Sequence, residues 1–552
     1  MILGIDVGGT HLDGVIINKK KVLKTVKIPV KADNLFSTIY EGILSLTKDI
    51  NKSEIKRINL STTITTNAIV ENKLEKVLVL IQSGPGIKND FSKNIKYIKY
   101  LDGYVDHRGK VAKDFKLDSL EKLNVPKNLK YLSVVTKFST RNPVTENKIY
   151  NYLKDDFKFI TLGHRISGNL NFPRRVYTSY LNSAVEKTFR GFALNIKKSL
   201  EKENINAPIY ILKADGGTLP IDLALKRPVE TVLSGPSASF MGISALENTK
   251  EDSIYLDIGG TTTDIFFLVD GKALFYNKGL RIKDLNTLVR GIYSASIGLG
   301  GDSLLKIDDE NLSIGPERLD RPLGLGGKFP TVTDALIVLD LLKIGYKEKS
   351  KKGLIDLLNS ANLEMDIINF CRFIIDTFIE ILYKRVYELL DEINKKPLYT
   401  VKEVLKNRQI NPKEIKIIGG PGKVLAPFIE EKFKIKTTVP KYYKIANAIG
   451  AALSKPTMEA NLIGDTKTKR LNVSEFSIYE NIDSSFNQQK GEEFLKKLLL
   501  NNVNTEFENE VEIIESESFN TVDLYEFYKN IRIKGQVKPG LIFNIWGDKD
   551  ES

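Results

Sequence analysis

The sequence predicts an α/β protein of two similar lobes with a cleft between them. One pattern, a strand, an Asp-x-Gly-Gly-Thr turn and a second strand, occurs at residues 2–17 and again at residues 254–268. Apolar runs typical of buried strands alternate with long segments of helical spacing, notably 177–202 and 362–394. The 552 residues also exceed one ordinary domain.

The first copy of the pattern places Asp6 at the end of an apolar run, followed by Gly8, Gly9 and Thr10. Glycines accept positive φ and leave room for an anion to approach the backbone. The carboxylate can hold Mg²⁺, which prefers oxygen ligands, and the threonine adds a hydroxyl group. On its own, such a turn is also typical of a purely structural hairpin.

The second copy favours the phosphate-binding interpretation. Asp257 lies 251 positions after Asp6, and the same offset relates Gly8 to Gly259, Gly9 to Gly260, Thr10 to Thr261 and Asp13 to Asp264. Internal repetition indicates repeated structural units. Two such hairpins facing each other would hold the phosphates and the metal ion of a nucleotide from both sides.

Four further motifs accompany the hairpins: Thr65-Thr-Asn-Ala-Ile-Val-Glu71, Ser234-Gly-Pro-Ser237, Pro330-Thr-Val-Thr-Asp-Ala335 and Ile418-Gly-Gly-Pro-Gly422. With them, residues 1–455 resemble the actin, sugar-kinase and heat-shock chaperone superfamily and, more narrowly, the HyuA-like subunit of the hydantoinase/oxoprolinase family. The resemblance implies two actin-like (ribonuclease H-like) ATPase lobes with a nucleotide cleft, an insertion and a small C-terminal domain.

The resemblance also implies ATP and Mg²⁺ as cofactors. Asp6 and Asp257 would hold Mg²⁺ and align the attacking group, and Asp264 would be a third catalytic carboxylate. The predicted phosphate-binding residues are Gly8, Gly9, Thr10, Gly259, Gly260, Thr261 and Thr262. The turn that contains Gly419, Gly420 and Gly422 would lie near adenosine, and it does not match the P-loop pattern.

Two further places are candidates for the substrate side of the cleft. The hydroxyl-rich run with Thr65, Thr66 and Asn67 follows a short apolar strand, and the resemblance places it near the active cleft. The same run also fits a solvated sheet edge. Asp215 stands at a strand end before two glycines, which fits either a cleft residue or a simple turn.

A second divalent metal site is a further hypothesis, because the resembled family includes members with metal-dependent cyclic-amide chemistry. The sequence has three histidines, so the imidazole-containing ligand set would be His11, Asp106, His107 and His164. The competing interpretation is that these are isolated histidines and that Asp106 belongs to an ordinary turn.

Composition limits the partners. The formal net charge of +13 would permit nucleic-acid binding. Lysines are interspersed with carboxylates, however, and no zinc-finger or RNA-binding signature occurs, so no nucleic-acid partner is predicted. The single cysteine, Cys371, excludes an internal disulfide. No apolar run reaches the roughly 18 residues of a membrane span and the start does not resemble a signal peptide, which predicts a cytoplasmic protein without a membrane partner.

The predicted domain organisation has five segments. They are the N-terminal part of the first lobe at 1–86, an inserted polar region at 87–180, the rest of the first lobe at 181–250, the second lobe at 251–455 and a small appended domain at 456–552.

The leading functional prediction is an ATP-dependent hydrolase subunit for cyclic amides of the hydantoin or 5-oxoproline type, which phosphorylates the amide oxygen. The alternatives are a small-molecule or sugar kinase, and a non-enzymatic ATP-driven activator or switch. No hydrolytic Ser-His-Asp or Cys-His set is evident, and the resembled family uses a second subunit. A separately encoded HyuB-like partner is therefore also predicted.

Overall fold

The computed structural model describes residues 1–546 except 32–33, 87–89, 122–125, 127, 277, 309–310, 361–363, 396–408, 504–506 and 524–525. Within these ranges, no helix combines the length and apolarity that crossing a membrane requires. The fold has two lobes, an inserted domain and a C-terminal domain, each built around its own sheet.

The first 250 residues contain twelve described strands and eight α-helices. They are β1 (Ile2–Val7), β2 (His11–Asn18), β3 (Lys21–Pro29), α1 (Leu35–Thr47), β4 (Arg57–Thr62), α2 (Ile64–Val70), β5 (Val77–Gln82), β6 (Tyr97–Tyr100), β7 (Tyr104–Val105), β8 (Val111–Lys113), α3 (Asp118–Glu121), β9 (Tyr131–Thr136), α4 (Val144–Leu153), β10 (Phe159–Leu162), α5 (Gly163–Ile166), α6 (Phe172–Lys202), β11 (Ile209–Leu212), β12 (Thr218–Pro220), α7 (Ile221–Ala224) and α8 (Ser234–Leu246).

The described elements of the second lobe follow in chain order. They are β13 (Ser253–Ile258), β14 (Thr263–Val269), β15 (Lys272–Ala273), β16 (Arg281–Ile282), β17 (Leu285–Asn286), β18 (Ala295–Ile297), β19 (Leu305–Asp308), β20 (Asn311–Ile314), α9 (Val332–Val338), α10 (Lys347–Ser360), α11 (Ile367–Lys395), β21 (Glu414–Ile418), α12 (Gly422–Phe433), β22 (Lys436–Thr438) and α13 (Ala446–Leu453).

The sheets of the two lobes share one arrangement at their centres. The first lobe has the order β12-β11-β4-β1-β2-β3, and the second has β15-β14-β13-β21-β22 with β18 against β14. In each, the strand that carries the first aspartate of the repeat forms an antiparallel hairpin on one side and pairs in parallel on the other. The predicted two-lobed α/β architecture is therefore confirmed.

The inserted domain differs from its predicted extent. Its four-stranded parallel sheet has the order β10-β9-β5-β6. Strand β5 therefore belongs to the inserted domain, whereas the predicted boundary at residue 86 assigned it to the first lobe. Every residue of β5 is buried. An apolar run of this kind indicates a strand covered on both faces, but it does not say which sheet the strand joins.

The predicted boundary at residue 180 falls inside the 31-residue helix α6. Phe172 and Val176, in the first part of this helix, pack into the core of the inserted domain. Phe189 and Ile196, further along, pack into the core of the first lobe. One continuous helix thus joins the two units, which is why its apolar pattern shows no break.

The C-terminal domain consists of β23 (Glu459–Asp465), β24 (Arg470–Val473), β25 (Ile478–Asn481), α14 (Gln488–Asn502), β26 (Val511–Asp523) and β27 (Glu526–Val537). Its sheet has the order β25-β24-β23-β27-β26. The chain then returns to the two lobes: Ile542 N donates to Leu453 O at 2.7 Å, and Ile545 N donates to Ala245 O at 3.0 Å.

Helices α8 and α13 cross between the two lobes at backbone contact. A Cβ atom at Gly242 would lie 2.1 Å from Ala446 O, and one at Gly450 would lie 2.1 Å from Ala238 O. Any larger side chain at either crossing point would push the helices apart. The small-residue run of α13 is therefore needed for the close approach that brings polar residues of both helices to the cleft.

Candidate functional site

The two hairpin turns have the same hydrogen-bonding pattern. Gly8 N donates to His11 O at 3.0 Å, and Gly259 N donates to Thr262 O at 2.9 Å. Donor and acceptor of the second turn each lie 251 positions after their counterparts, so the sequence repeat is also a geometric repeat. A Cβ atom at either glycine would approach the acceptor oxygen, at 3.3 Å and 3.2 Å respectively.

The aspartates of each copy face each other across the hairpin. Asp6 on β1 is the register partner of Asp13 on β2. Asp257 on β13 is the register partner of Asp264 on β14. Because residues in register point to the same face of the sheet, each lobe presents a pair of carboxylates at the end of its central hairpin.

Charged groups of both lobes influence His11, which follows the turn of the first lobe. Its pKa is lowered by partial burial and by the positive charges of Lys27 from its own lobe and Arg318 from the second lobe. Arg318 Nη1 donates to Thr261 Oγ1 at 3.2 Å, and Arg318 Nη2 lies 2.9 Å from Asp302 Oδ2. The turn of the first lobe therefore lies near the residues that hold the turn of the second lobe.

The carboxylates are crowded and poorly solvated. Burial, reinforced by the negative charge of Asp13 and then by that of Asp257, raises the pKa of Asp6 to about 7. Burial and the charge of Asp257 raise the pKa of Asp264 to about 7 as well. Asp6 Oδ1 is buried without a hydrogen-bond partner in the described residues. Such a cluster favours protonation or the binding of a cation.

Two side chains from the crossing helices hold Asp257. Ser239 Oγ on α8 donates to Asp257 Oδ2 at 2.6 Å, and Asn447 Nδ2 on α13 lies 3.5 Å from the same oxygen. Burial still raises the pKa of Asp257 above its usual range. Because the helices contact each other at their glycines, the serine and the asparagine are fixed relative to the carboxylate.

The predicted adenosine turn lies directly against Asp257. Gly419 has φ +93°, and a Cβ atom there would lie 2.2 Å from Ile258 O and 2.8 Å from Asp257 Oδ1. Gly420, in contrast, has no atom within 4 Å of the place where a Cβ would stand. The turn combines one position that only glycine fits with one that opens to free space.

A second glycine-rich loop supports the turn of the second lobe. Gly301 N donates to Gly259 O at 3.0 Å, and Asp302 N donates to Gly260 O at 2.7 Å. The sequence of this loop, Ser296-Ile-Gly-Leu-Gly-Gly-Asp-Ser303, fits either a phosphate cradle or a hinge. In the structure, the backbone of this loop binds and fixes the predicted phosphate turn.

The predicted substrate-side run begins helix α2, and its residues differ in their contacts. Thr65 Oγ1 lies 2.8 Å from Thr231 Oγ1, and Thr66 Oγ1 accepts from Leu233 N at 2.8 Å. Both hydroxyls thus hold the segment before α8. Asn67 lies beside the first turn, because a Cβ at Gly9 would be 3.8 Å from its Nδ2.

Asp215 belongs to a different part of the molecule. Its carboxylate forms a buried ion pair with Lys213 Nζ at 2.9 Å and accepts from Gly217 N at 2.9 Å. The side chain lines a separate cavity at the junction with the C-terminal domain, together with Arg227, Arg290 and other residues.

The hypothetical second metal site does not form. Among the described residues, no three His, Cys, Asp or Glu side chains are placed to hold one metal ion. His164 is buried, and its Nδ1 lies 2.6 Å from Glu146 Oε2. Asp106 Oδ1 accepts from the backbone N–H groups of Arg108 and Lys110 at 2.9 Å each, as in an ordinary turn. The competing interpretation in terms of isolated residues is the one that the structure supports.

Several residues of the site escape prediction from the sequence. Lys27 Nζ lies 2.7 Å from Asp13 Oδ1. The two residues are register partners on β3 and β2, and the alternation of apolar and polar residues along β3 could have indicated this pairing. Ser239, Asn447 and Arg318 reach the cleft only through helix crossing and loop packing. The small-residue runs that contain Ser239 and Asn447 indicate close helix packing, but they do not identify these side chains as partners of Asp257.

Comparison with solved structures establishes the class of the fold. Acetone carboxylase in its nucleotide-free form matches with a TM-score of 0.70 and 13% identity, covering 97% of this chain and 87% of that chain. The ATP-dependent caprolactamase of Pseudomonas jessenii matches with a TM-score of 0.67 and 17% identity, over the same shares. The fold is that of the actin-like ATPases.

The chain belongs to the hydantoinase/oxoprolinase family. The family model described as hydantoinase/oxoprolinase matches residues 175–460, and the model of the family's N-terminal region matches residues 2–157. The predicted family is thereby confirmed.

Curated relatives are longer than this chain. An uncharacterised protein of Schizosaccharomyces pombe is 23% identical over 80% of this chain and 39% of its own length. The caprolactamase subunit alpha of Pseudomonas jessenii is 23% identical over 62% of this chain and 55% of its own length. A 5-oxoprolinase of Dictyostelium discoideum is 25% identical over 40% of this chain and 22% of its own length. The chain thus spans only part of the length of these relatives.

Proposed function

We propose that this chain binds MgATP between its two hairpins and phosphorylates the oxygen of a cyclic amide of the hydantoin or 5-oxoproline type. The observation that carries the proposal is the geometric repeat, in which two Asp-Gly-Gly-Thr turns with crowded carboxylates face one cleft. Family membership and the names of the caprolactamase and 5-oxoprolinase relatives support the substrate class.

The residues present fit a magnesium ion that arrives with ATP. Asp6 Oδ1 is buried and unpartnered within the described residues, and burial raises the pKa of Asp257, so a bound cation would stabilise the charged form of both carboxylates. Hard oxygen ligands of this kind, in small number, are typical of Mg²⁺ sites that share the ion with phosphates. Bound Mg²⁺ would neutralise negative charge on the phosphates.

The glycine and threonine turns of the cleft would position the phosphates and the adenosine of the nucleotide. The N–H groups of Gly8 and Gly259 close their own turns, so the residues that follow them, Gly9–Thr10 and Gly260–Thr262, would offer backbone N–H groups and hydroxyls to phosphate oxygens. The open turn at Gly420 leaves space for the adenosine. In the reaction, the amide oxygen forms a bond to the γ-phosphorus, the bond between that phosphorus and the β–γ bridging oxygen breaks, and ADP leaves. Such transfer needs mainly alignment and charge neutralisation.

We also propose that ring opening requires a HyuB-like partner subunit. The phosphorylated amide is an activated electrophile, but the cleft contains no hydrolytic Ser-His-Asp or Cys-His set among the described residues. Two relatives carry the names caprolactamase subunit alpha and acetophenone carboxylase gamma subunit, which supports a multi-subunit arrangement.

The test is ADP release by the purified full chain with MgATP and a panel of hydantoins, 5-oxoproline and lactams of different ring size. We expect at least one cyclic amide to stimulate ADP release, and the Asp257→Asn variant to lose the stimulation. Asp284→Asn, at an exposed carboxylate in the second lobe, is the matched control. A stable phosphoester product would instead indicate a kinase, and absence of stimulation by every cyclic amide would contradict the proposed substrate class.

A further inference from the structure

A second cavity lies away from the hairpins, where four parts of the chain meet. Its volume is about 270 Å³, close to the lower end of small-molecule sites, roughly 300 Å³. We call it the junction cavity. It lies between the first lobe at residues 213–230, the second-lobe segment 288–290, residues 166–178, and the C-terminal domain at 457–459, 475–476 and 502.

Most charges in the junction cavity already have partners. Lys213 Nζ lies 2.9 Å from Asp215 Oδ2, and both side chains are buried. Arg227 Nη1 lies 3.4 Å from Glu230 Oε1, and its Nη2 donates to Glu475 O at 3.2 Å. These groups form a charged wall that needs no ligand to be satisfied.

Arg290 and Glu459 are less completely paired, because one polar atom of each side chain has no hydrogen-bond partner among the described residues. Arg290 Nη1 is 3.9 Å from Glu459 Oε2, which is too long for a hydrogen bond. Arg290 Nε and Glu459 Oε2 are both buried without a hydrogen-bond partner in the described part of the chain. Leaving a buried donor and a buried acceptor unpaired is costly, so the pair is suited to a ligand that supplies one acceptor and one donor.

Both side chains are held in place from outside the cavity. The guanidinium of Arg290 lies over the ring of Phe275, 4.2 Å from its centroid. Glu459 Oε1 lies 3.0 Å from Lys534 Nζ. The guanidinium and the carboxylate, whose Nη1 and Oε2 atoms are 3.9 Å apart, both line the cavity, together with apolar residues that include Leu219, Leu223 and Val289.

We propose that the junction cavity binds a small α-amino acid with an apolar side chain. Its carboxylate would accept from Arg290, its ammonium would donate to Glu459, and its side chain would pack on the apolar wall. An α-amino acid fits because its two charged groups are neighbours, as Arg290 and Glu459 are, whereas an ω-amino acid separates them. The site is distinct from the proposed nucleotide cleft and requires neither ATP nor turnover.

The cavity is structurally connected to the cleft. Val229 and Glu230 line it, and the next residues of the same segment, Thr231 and Leu233, are hydrogen-bonded to Thr65 and Thr66 of helix α2. A ligand in the cavity therefore contacts the segment that holds the substrate-side helix.

The experiment is calorimetric titration of the purified full chain, without nucleotide, with L-leucine. We expect L-leucine to bind, and 4-methylpentanoate, 3-methylbutylamine and 6-aminohexanoate to bind at least about tenfold more weakly, because each lacks one charged group or separates the two. No binding of L-leucine up to about 10 mM, weaker than most specific small-ligand sites, would overturn the proposal. Equal or tighter binding of 6-aminohexanoate would overturn it too.

Variants separate this site from the cleft. Arg290→Met and Glu459→Gln should each weaken L-leucine binding about tenfold while leaving MgATP affinity within about twofold of the parent chain. Arg281→Met, at an exposed arginine of the second lobe, should change neither. If Arg290→Met does not fold, the milder Glu459→Gln still decides the matter, and unchanged leucine affinity in that variant refutes the assignment. If the parent chain binds L-leucine but not MgATP, the result contradicts the proposed function and leaves the leucine site standing.

Discussion

Asp6 and Asp257 belong to different lobes, yet the negative charge of Asp257 contributes to the raised pKa of Asp6. The two carboxylates occupy equivalent positions on the central strands of the two sheets. The cleft therefore brings together like charges that the chain separates by 250 intervening residues. Such an arrangement is unfavourable unless a proton or a cation compensates for the like charges.

The first prediction concerns the phosphate turn of the first lobe. A Cβ atom at Gly9 would meet only Asn67 Nδ2, at 3.8 Å, so a larger residue fits the fold but occupies the approach to the turn. We expect Gly9→Val to lower MgATP affinity at least about tenfold, measured by calorimetry. Gly191→Val, on the exposed side of α6 with no atom within 4 Å of the Cβ position, is the control. Equal affinities in the two variants would contradict the phosphate assignment.

The second prediction concerns catalysis. Asp6→Asn and Asp257→Asn remove a negative charge while keeping size and shape. We expect each to retain the fold, judged by circular dichroism, and to lower ATP turnover about a hundredfold or more, within the usual range for loss of a group that acts on the reacting centre. Near-normal turnover in either variant would place the catalytic carboxylate elsewhere.

The third prediction contrasts two neighbouring glycines. Gly419→Ala combines φ +93° with a Cβ only 2.2 Å from Ile258 O. We expect it to lower the free energy of unfolding by about 1–3 kcal/mol or more, the range for a strained backbone conformation, and to impair ATP turnover by displacing Asp257. Gly420→Ala faces open space and should stay close to the parent chain. Urea unfolding of both variants measures the difference, and equal stabilities would contradict it.

The fourth prediction concerns pH. The pKa values of Asp6 and Asp264 are raised to about 7 in the folded chain, whereas the unfolded value is about 3.9. The folded state then binds more protons between these limits, so stability falls as pH rises from about 4 to about 7. Asp6→Asn should flatten this decrease in thermal unfolding scans without nucleotide. An identical pH slope in the variant and the parent chain would show that Asp6 does not titrate in this range.

The sequence by itself determined the two lobes, the repeat and the family. These are local or periodic features. An aspartate at a strand end, two glycines and a threonine recur at a constant offset. Each copy can be recognised from sequence because the geometry of a hairpin is set by its own residues. The long helices and the buried strands followed from apolar spacing for the same reason.

Only the tertiary structure decided which residues share a site. Thr65 and Thr66 hold the segment before α8, His164 pairs with Glu146, and Asp215 lies in the junction cavity instead of beside the hairpins. Asn447 and Arg318 enter the cleft through a helix crossing and a loop contact. These partners lie far apart along the chain. Their proximity depends on how complete sheets and helices pack, and no local pattern of residues records that packing.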